Sequence, residues 1–204
     1  RELALKILDF DLVEIINKGP EEVLNKTSIT QPAILFTSYI YYKHILKITN
    51  LKPKLMCGHS LGEYSALVNS NSISFEDALN IVHQRGLIME KSIKGSMYAI
   101  LNTDIDIIDE VCKKVSKDEN MIVNPANINS PKQIVIAGEN KAVEIVINNL
   151  KERGYKKSIK LNVSVASHCK LMDEPSYDFK KLLDTIKISQ PETRIIHNIS
   201  ASEA

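Results

Sequence analysis

The sequence lacks any unbroken apolar run near the ~18 residues that a membrane-spanning helix requires. Its opening, Arg1-Glu2-Leu3, also lacks the basic-then-apolar character of a signal peptide, so a non-secreted protein with no membrane partner is expected. Cysteine is scarce: Cys57, Cys112 and Cys169 stand apart with no C-x-x-C spacing, which implies neither a disulfide framework nor a zinc site and suits a reducing compartment. An excess of one charge is missing too. A net charge of +1 argues against nucleic acid as a partner and leaves local patches to attract an acidic one. No repeat, low-complexity tract or Gly/Ser linker interrupts the chain. Arginine is rare, with Arg1, Arg85, Arg153 and Arg194 the four among 26 basic residues, so each invites a question about its task.

What is present suffices for a core: 44% of the 204 residues are hydrophobic, enough for one domain or two small ones. Residues 31–95 alternate helix and short strand, the rhythm of a parallel α/β sheet. The pattern predicts a helix over 32–48, a buried strand over 55–57 and a helix over 61–69. A further helix runs from Phe75 to about Glu90, opened by a capping box with Ser74 as N-cap and Asp77 at the third position. From about Ser96 the order changes. A strand over 97–101 leads to a helix capped by Thr103, with Ile105, Ile108, Val111, Cys112 and Val115 at helical spacing. A strand over 121–124, a turn at 129–131 and a strand over 134–137 follow. Next come a helix with Ala142, Val143, Val146 and Leu150 inward, Gly154 at its stop, and a strand near 158–161. The order β-α-β-β-α-β is the ferredoxin-like unit. Residues 163–167 then read as a returning strand, 177–186 as a helix and 194–199 as a strand. The expected fold is α/β: a parallel-sheet subdomain from residues 1–95 and 163–204, with a ferredoxin-like βαββαβ subdomain, residues 96–162, set into it.

Within this frame, Gly58-His59-Ser60-Leu61-Gly62 is a G-x-S-x-G elbow between a predicted strand and a predicted helix, where glycines allow a tight turn that lifts the serine hydroxyl above a sheet. Ser60 is therefore the candidate nucleophile, and the N–H of Leu61, in the first helical turn, the candidate oxyanion donor. A serine needs a base. Of the five histidines, His59 adjoins Ser60 but points away from it if the turn is sharp, and serves as a candidate for substrate binding. His44 and His83 fall on helices and His197 on a late strand. Position favours His168, which follows a strand re-entering the α/β layer, where catalytic loops gather. Arg85 continues the apolar stripe of Ala78 and Val82, so its guanidinium must snorkel or be paired. Either an internal acidic residue or the carboxylate of a substrate would meet it.

The sequence closely resembles the malonyl-CoA:acyl carrier protein transacylases over nearly its whole length. The resemblance rests on Thr30-Gln31-Pro32-Ala33, the run from Gly58 through Glu63-Tyr64-Ser65-Ala66-Leu67, and Arg85-Gly86 with Met89. It continues through Asn127-Ile128-Asn129-Ser130-Pro131, then Val135-Ile136-Ala137-Gly138, and the run from Val163 through His168-Cys169-Lys170-Leu171-Met172. It implies a hydrolase-like α/β core, Ser60 as nucleophile, His168 as base and later acid, Arg85 as clamp for the malonyl carboxylate and the Leu61 N–H in the oxyanion hole. It further implies malonyl-CoA as substrate, acyl carrier protein as partner, a monomer, and neither a metal nor a permanently bound cofactor. Family members begin with a strand and a Gly-Gln-Gly-Ser-Gln loop and extend past the position of Ala204, so the 204 residues by themselves are expected to be weakly active or inactive. Ala166 stands where bacterial single-domain members often carry proline, which bears on malonyl against methylmalonyl selectivity.

Rival readings are a methylmalonyl-selective or polyketide acyltransferase, a serine hydrolase, and a degenerate scaffold that binds acyl carrier protein. A hydrolase would orient its histidine with a carboxylate, and no Asp or Glu is identifiable as that group by spacing. Lys156, Lys157 and Lys160, or Lys180 and Lys181, could form a dock for an acidic carrier or simply be solvated faces. A bacterial cytoplasm and a plastid-type organelle both suit the composition.

Overall fold

The computed structural model describes residues 1–163 and 165–203. In chain order the helices α1 (Glu2–Leu8), α2 (Leu12–Lys18), α3 (Glu21–Leu24) and α4 (Thr27–Ile48) precede strand β1 (Leu55–Cys57) and helices α5 (Gly62–Asn69) and α6 (Phe75–Glu90). Then come β2 (Ser96–Leu101), α7 (Ile105–Glu119), β3 (Val123–Ser130), β4 (Gln133–Gly138), α8 (Asn140–Glu152) and β5 (Ser158–Lys160). A 3-10 turn at Lys170–Met172 leads into α9 (Asp173–Leu183), and β6 (Arg194–Ile196) follows. The fold is mixed α/β, divided into two compact units: Arg1–Leu87 with Phe179–Ala204, and Ile88–Asp178.

In the first unit, Leu12, Leu35, Leu61, Val68, Leu79 and Val82 form a buried cluster that ties α2, α4, α5 and α6 together. β1 pairs in parallel with β6, Leu55 to Arg194 through Cys57 to Ile196. The strand expected over 55–57 is thus present, but it is not buried: Leu55 is 48% exposed, because β6 covers one edge of a sheet that has two strands among the described residues. β6 itself is shorter than the expected 194–199, giving way at Ile196 to an isolated bridge with Glu203.

The helix expected to start at Pro32 begins at Thr27 and carries Pro32 inside it. Proline there cannot donate to the carbonyl of Ser28 four residues back. That carbonyl instead accepts a hydrogen bond from His83 Nδ1 on α6 at 2.8 Å. The two helices approach closely here, since a Cβ on Gly86 would lie 2.4 Å from the Cα of Ser28. At the head of α6, Ser74 Oγ accepts the Asp77 N–H at 3.0 Å and donates to the Asp77 carboxylate at 2.8 Å, so the expected Ser74/Asp77 pair forms.

The second unit holds a four-stranded antiparallel sheet in the order β3-β4-β2-β5. With α7 and α8 as its helices, the order along the chain is βαββαβ, as the sequence pattern indicated. One face packs on both helices through Ile100, Ile134, Ile136, Ile108, Val143 and Val146. Met97, Ala99, Val135 and Ala137 on the other face cluster with Ala166, Cys169 and Leu171. α7 is capped by the extended backbone of Asp104 without a side-chain bond, not by Thr103, whose hydroxyl donates to the Leu101 carbonyl at 3.4 Å. β3 starts two residues later than expected and runs through Ser130, turning at residues 131–132. Pro125 and register shifts at 125–127 and 128–130 disguise it, features that an edge strand tolerates.

Residues 163–167 do not form the expected strand: Val163 and 165–167 are irregular, and Ser164 lies outside the described residues. Side chains hold this segment, with Ala166 fully buried and the Cys169 thiol donating to the Ala166 carbonyl at 3.3 Å. The next helix begins at Asp173, four residues before the expected 177, because Pro175 falls in its first turn, where no intrahelical donor is needed.

Candidate active site

β1 delivers the chain into the elbow at Gly58. A Cβ there would lie 1.9 Å from the carbonyl carbon of Gly62, so this position admits glycine alone. At Gly62, by contrast, a Cβ would meet nothing within 4 Å. The expectation that both glycines make the turn is therefore corrected: Gly58 supplies the close approach, and Gly62 simply opens α5. Ser60 sits at the tip with φ of 51°, a left-handed conformation that is costly for a residue other than glycine. The turn is closed by the Gly62 N–H on the His59 carbonyl at 2.8 Å and the Glu63 N–H on the Ser60 carbonyl at 3.1 Å. Leu61 is the N-cap of α5 with its side chain buried in the core. Its amide lies at the positive end of that helix, before the first intrahelical bonds. His59 is exposed.

Arg85 comes from α6, whose apolar stripe carries it to the elbow. Its Nη2 donates to Ser60 Oγ at 3.3 Å and its Nη1 to Gln31 Oε1 of α4 at 2.6 Å. The guanidinium carbon lies 5.9 Å from the centre of the Tyr64 ring. Burial lowers the Arg85 pKa from its ordinary value, opposed by the nearby Tyr64, and burial raises that of Tyr64. No carboxylate among the described residues pairs with Arg85, so of the two readings left open by its helical position, the internal ion pair is absent. The result is a half-buried cation that rests on two neutral oxygens and an aromatic face, beside a strained serine.

The other side of the elbow is held by residues that sequence reasoning passed over. Asn198 Oδ1 accepts the Ser60 backbone N–H at 2.8 Å. Glu63, in the first turn of α5, accepts the Asn198 N–H on Oε2 at 3.1 Å and meets His197 Nδ1 with Oε1 at 2.6 Å. Gln31 and Glu63 both lie in runs that carry the family resemblance, which was the available signal, though neither was assigned a task; Asn198 carried no such mark.

Among the expected site residues, the structure thus brings together Ser60, Leu61 and Arg85, with His59 on the elbow. His168 belongs to the second unit, where it is half-buried with φ of 59° just ahead of the 3-10 turn. Among the described residues no group of three or more His, Cys, Asp or Glu is placed to hold a metal, and no helix is long and apolar enough to cross a membrane.

The acyl transferase domain model matches residues 2–204. The malonyl CoA-acyl carrier protein transacylase of Haemophilus influenzae is 41% identical over 200 residues, covering 96% of this chain and 64% of its own length. The structure of the malonyl CoA-acyl carrier protein transacylase from Coxiella burnetii matches with a TM-score of 0.95 at 34% identity, covering all of this chain and 65% of that one. A malonyl-transacylase solved in complex with its type II polyketide acyl-carrier protein matches at the same TM-score and 39% identity, covering all of this chain and 66% of that one. The chain therefore spans 64% of the length of the curated relatives it matches. With a serine elbow in place and a domain match over residues 2–204, the chain belongs to the acyl transferase domain family.

Proposed function

We propose that the protein transfers a malonyl group from malonyl-CoA to the phosphopantetheine thiol of acyl carrier protein, as an enzyme of fatty-acid biosynthesis. The observation that carries this reading is the Arg85 guanidinium, held by neutral partners 3.3 Å from Ser60 Oγ and so ready to take the free carboxylate of a dicarboxylic acyl group. Ser60 Oγ attacks the thioester carbonyl, and His168 takes the hydroxyl proton. The tetrahedral oxyanion is stabilised by the Leu61 N–H. Collapse breaks the C–S bond, the leaving thiolate takes the proton from His168, and the malonyl group remains as a serine ester. The carrier thiol then gives its proton to His168 and its sulfur attacks the ester; the C–O bond to Ser60 breaks, and Oγ takes the proton back from His168. His59, exposed on the elbow, contacts the substrate on its way in. In this reading residues 1–95 carry the nucleophile, 96–162 the small subdomain and 163–204 the histidine.

The protein acts as a monomer in a bacterial cytoplasm or a plastid-type organelle, without a bound cofactor. Docking of the acidic carrier falls to Lys156, Lys157 and Lys160, which are exposed, rather than to Lys180, which pairs with Asp184 at 3.1 Å. Transfer to the carrier then weakens as ionic strength rises; kinetics insensitive to salt would remove this dock.

The test is intact-mass spectrometry of the full-length protein with malonyl-CoA. A malonyl adduct is expected in wild type and none in Ser60→Ala. Arg85→Ala loses charge-assisted bonds worth about 2–3 kcal/mol, so malonyl loading slows about a hundredfold while loading from neutral acetyl-CoA does not slow. Preference for acetyl-CoA, or for methylmalonyl-CoA, in the wild-type protein would overturn the assignment of the acyl group.

A further inference from the structure

We infer that Asn198 and Glu63 form a positioning device for Ser60, a role that rests on the serine's being the nucleophile. Ser60 has a left-handed backbone, and its own N–H is directed to Asn198 Oδ1 at 2.8 Å. Asn198 is in turn fixed through its backbone, whose N–H donates to Glu63 Oε2 at 3.1 Å. The second oxygen of the same carboxylate meets His197 Nδ1 at 2.6 Å. One carboxylate on the first turn of α5 thus clasps two successive residues after β6, and the second of these holds the serine amide. Glu63 also donates its own N–H to the Ser60 carbonyl at 3.1 Å, so both peptide groups flanking the Ser60 Cα are anchored, one directly by Glu63 and one through Asn198.

Two consequences follow for chemistry. The Ser60 N–H is committed to Asn198 and is not a donor to the reaction oxyanion, which leaves the next amide, that of Leu61, for that task. The position of Oγ along the attack path is set by the φ and ψ of Ser60, and the Asn198 and Glu63 contacts oppose relaxation of that strained backbone. Misplacement of a reacting atom by about 1 Å can cost about a hundredfold in rate without weakening substrate binding. Removal of the device is therefore expected to lower kcat and leave KM in place. It differs in this from loss of Arg85, which acts on the bound acyl group.

The test uses the full-length protein and four variants. Asn198→Leu keeps the size of the side chain and removes the acceptor. Glu63→Ala removes the clasp, whereas Glu63→Gln keeps an oxygen for the Asn198 N–H and an amide N–H for a neutral His197 Nδ1. Val68→Ala, in the core of the same unit, serves as a control for general loss of stability. Single-turnover loading from malonyl-CoA is expected to slow about ten- to a hundredfold in Asn198→Leu and Glu63→Ala with KM within about twofold, and Glu63→Gln to recover most of the rate. The same order is expected for labelling of Ser60 by a neutral sulfonyl fluoride, which needs the hydroxyl but no malonyl site. A sulfonyl fluoride series with this order in a protein that makes no malonyl ester would sink the proposed substrate and leave the device standing. The device itself is overturned if Asn198→Leu matches wild type in both reactions, or if its losses equal those of Val68→Ala at the same loss of thermal stability.

Discussion

Gly58 and Gly62 look equivalent in the elbow motif, and the structure separates them. A side chain at Gly58 would collide with the backbone of Gly62 at 1.9 Å, a contact that no rotamer change relieves. Gly58→Ala should therefore lower the unfolding free energy by about 3 kcal/mol, the upper end of overpacking costs, and abolish Ser60 labelling. Gly62 lies outside the left-handed region, has open space at its Cβ and heads a helix, where alanine is favoured by up to about 1 kcal/mol. Gly62→Ala should leave the denaturant midpoint unchanged or raised; a loss as large as that of Gly58→Ala would refute the distinction. The pentapeptide marked Ser60 as the candidate nucleophile because a strand, a tight turn and a helix are local features. It could not show which glycine makes the turn, since that depends on where the first turn of α5 passes over position 58.

At the scale of the element, α4 shows how a rule legible in sequence gives the wrong boundary. The apolar pattern predicts a helix over 32–48, and proline suits a first helical position. α4 begins at Thr27 because α6 offers a substitute for the missing proline donor: His83 Nδ1 bonds the Ser28 carbonyl across a sequence separation of 55. The two positions should therefore be coupled. His83→Leu in the natural sequence removes that bond and should cost about 1–2 kcal/mol. In a Pro32→Ala background the restored backbone N–H can serve the same carbonyl, so the cost of His83→Leu should shrink by about 1 kcal/mol. Urea melts of the four proteins close this cycle, and additivity within about 0.5 kcal/mol would show that the histidine is not the proline's partner. Elements without such long-range exchange were easier to read. α7 and α8 carry their inward residues at helical spacing, and the buried set Ile108, Val111, Cys112, Val115 matches the expected stripe, with Ile105 half-buried at its edge. β3 was not legible in full because Pro125 and three asparagines conceal an edge strand.

At the scale of the whole molecule, the βαββαβ order emerged from local periodicity, whereas the pairing of β1 with β6 joins three-residue strands about 140 positions apart and has no local signature. The same divide runs through the site. Ser60 and Arg85 lie on elements with a readable pattern, while Asn198 and Glu63 matter through contacts 138 and 135 positions apart between residue types that are usually solvated. The cysteines offer a readout of packing in both units at once. Cys57 is exposed in the first unit, while Cys112 and Cys169 are buried in the second. Burial, reinforced by Asp109, pushes the Cys112 thiol from 9.0 up to about 12, and burial also raises that of Cys169. A raised thiol pKa means that the folded protein holds the proton longer than the unfolded chain. The stability contributed by neutral Cys112 is therefore complete below about pH 9 and is lost as pH rises towards about 12. At pH 8 both buried thiols are protonated as well as shielded, and thiolate is the species that reacts. Of these three cysteines, iodoacetamide at pH 8 should modify Cys57 alone in the folded protein and all three in urea. At about pH 10 Cys112 should likewise stay unmodified while the fold persists, since its thiol remains protonated there. Prompt modification of Cys112 while the circular dichroism spectrum remains native would contradict the packing of α7 on its sheet.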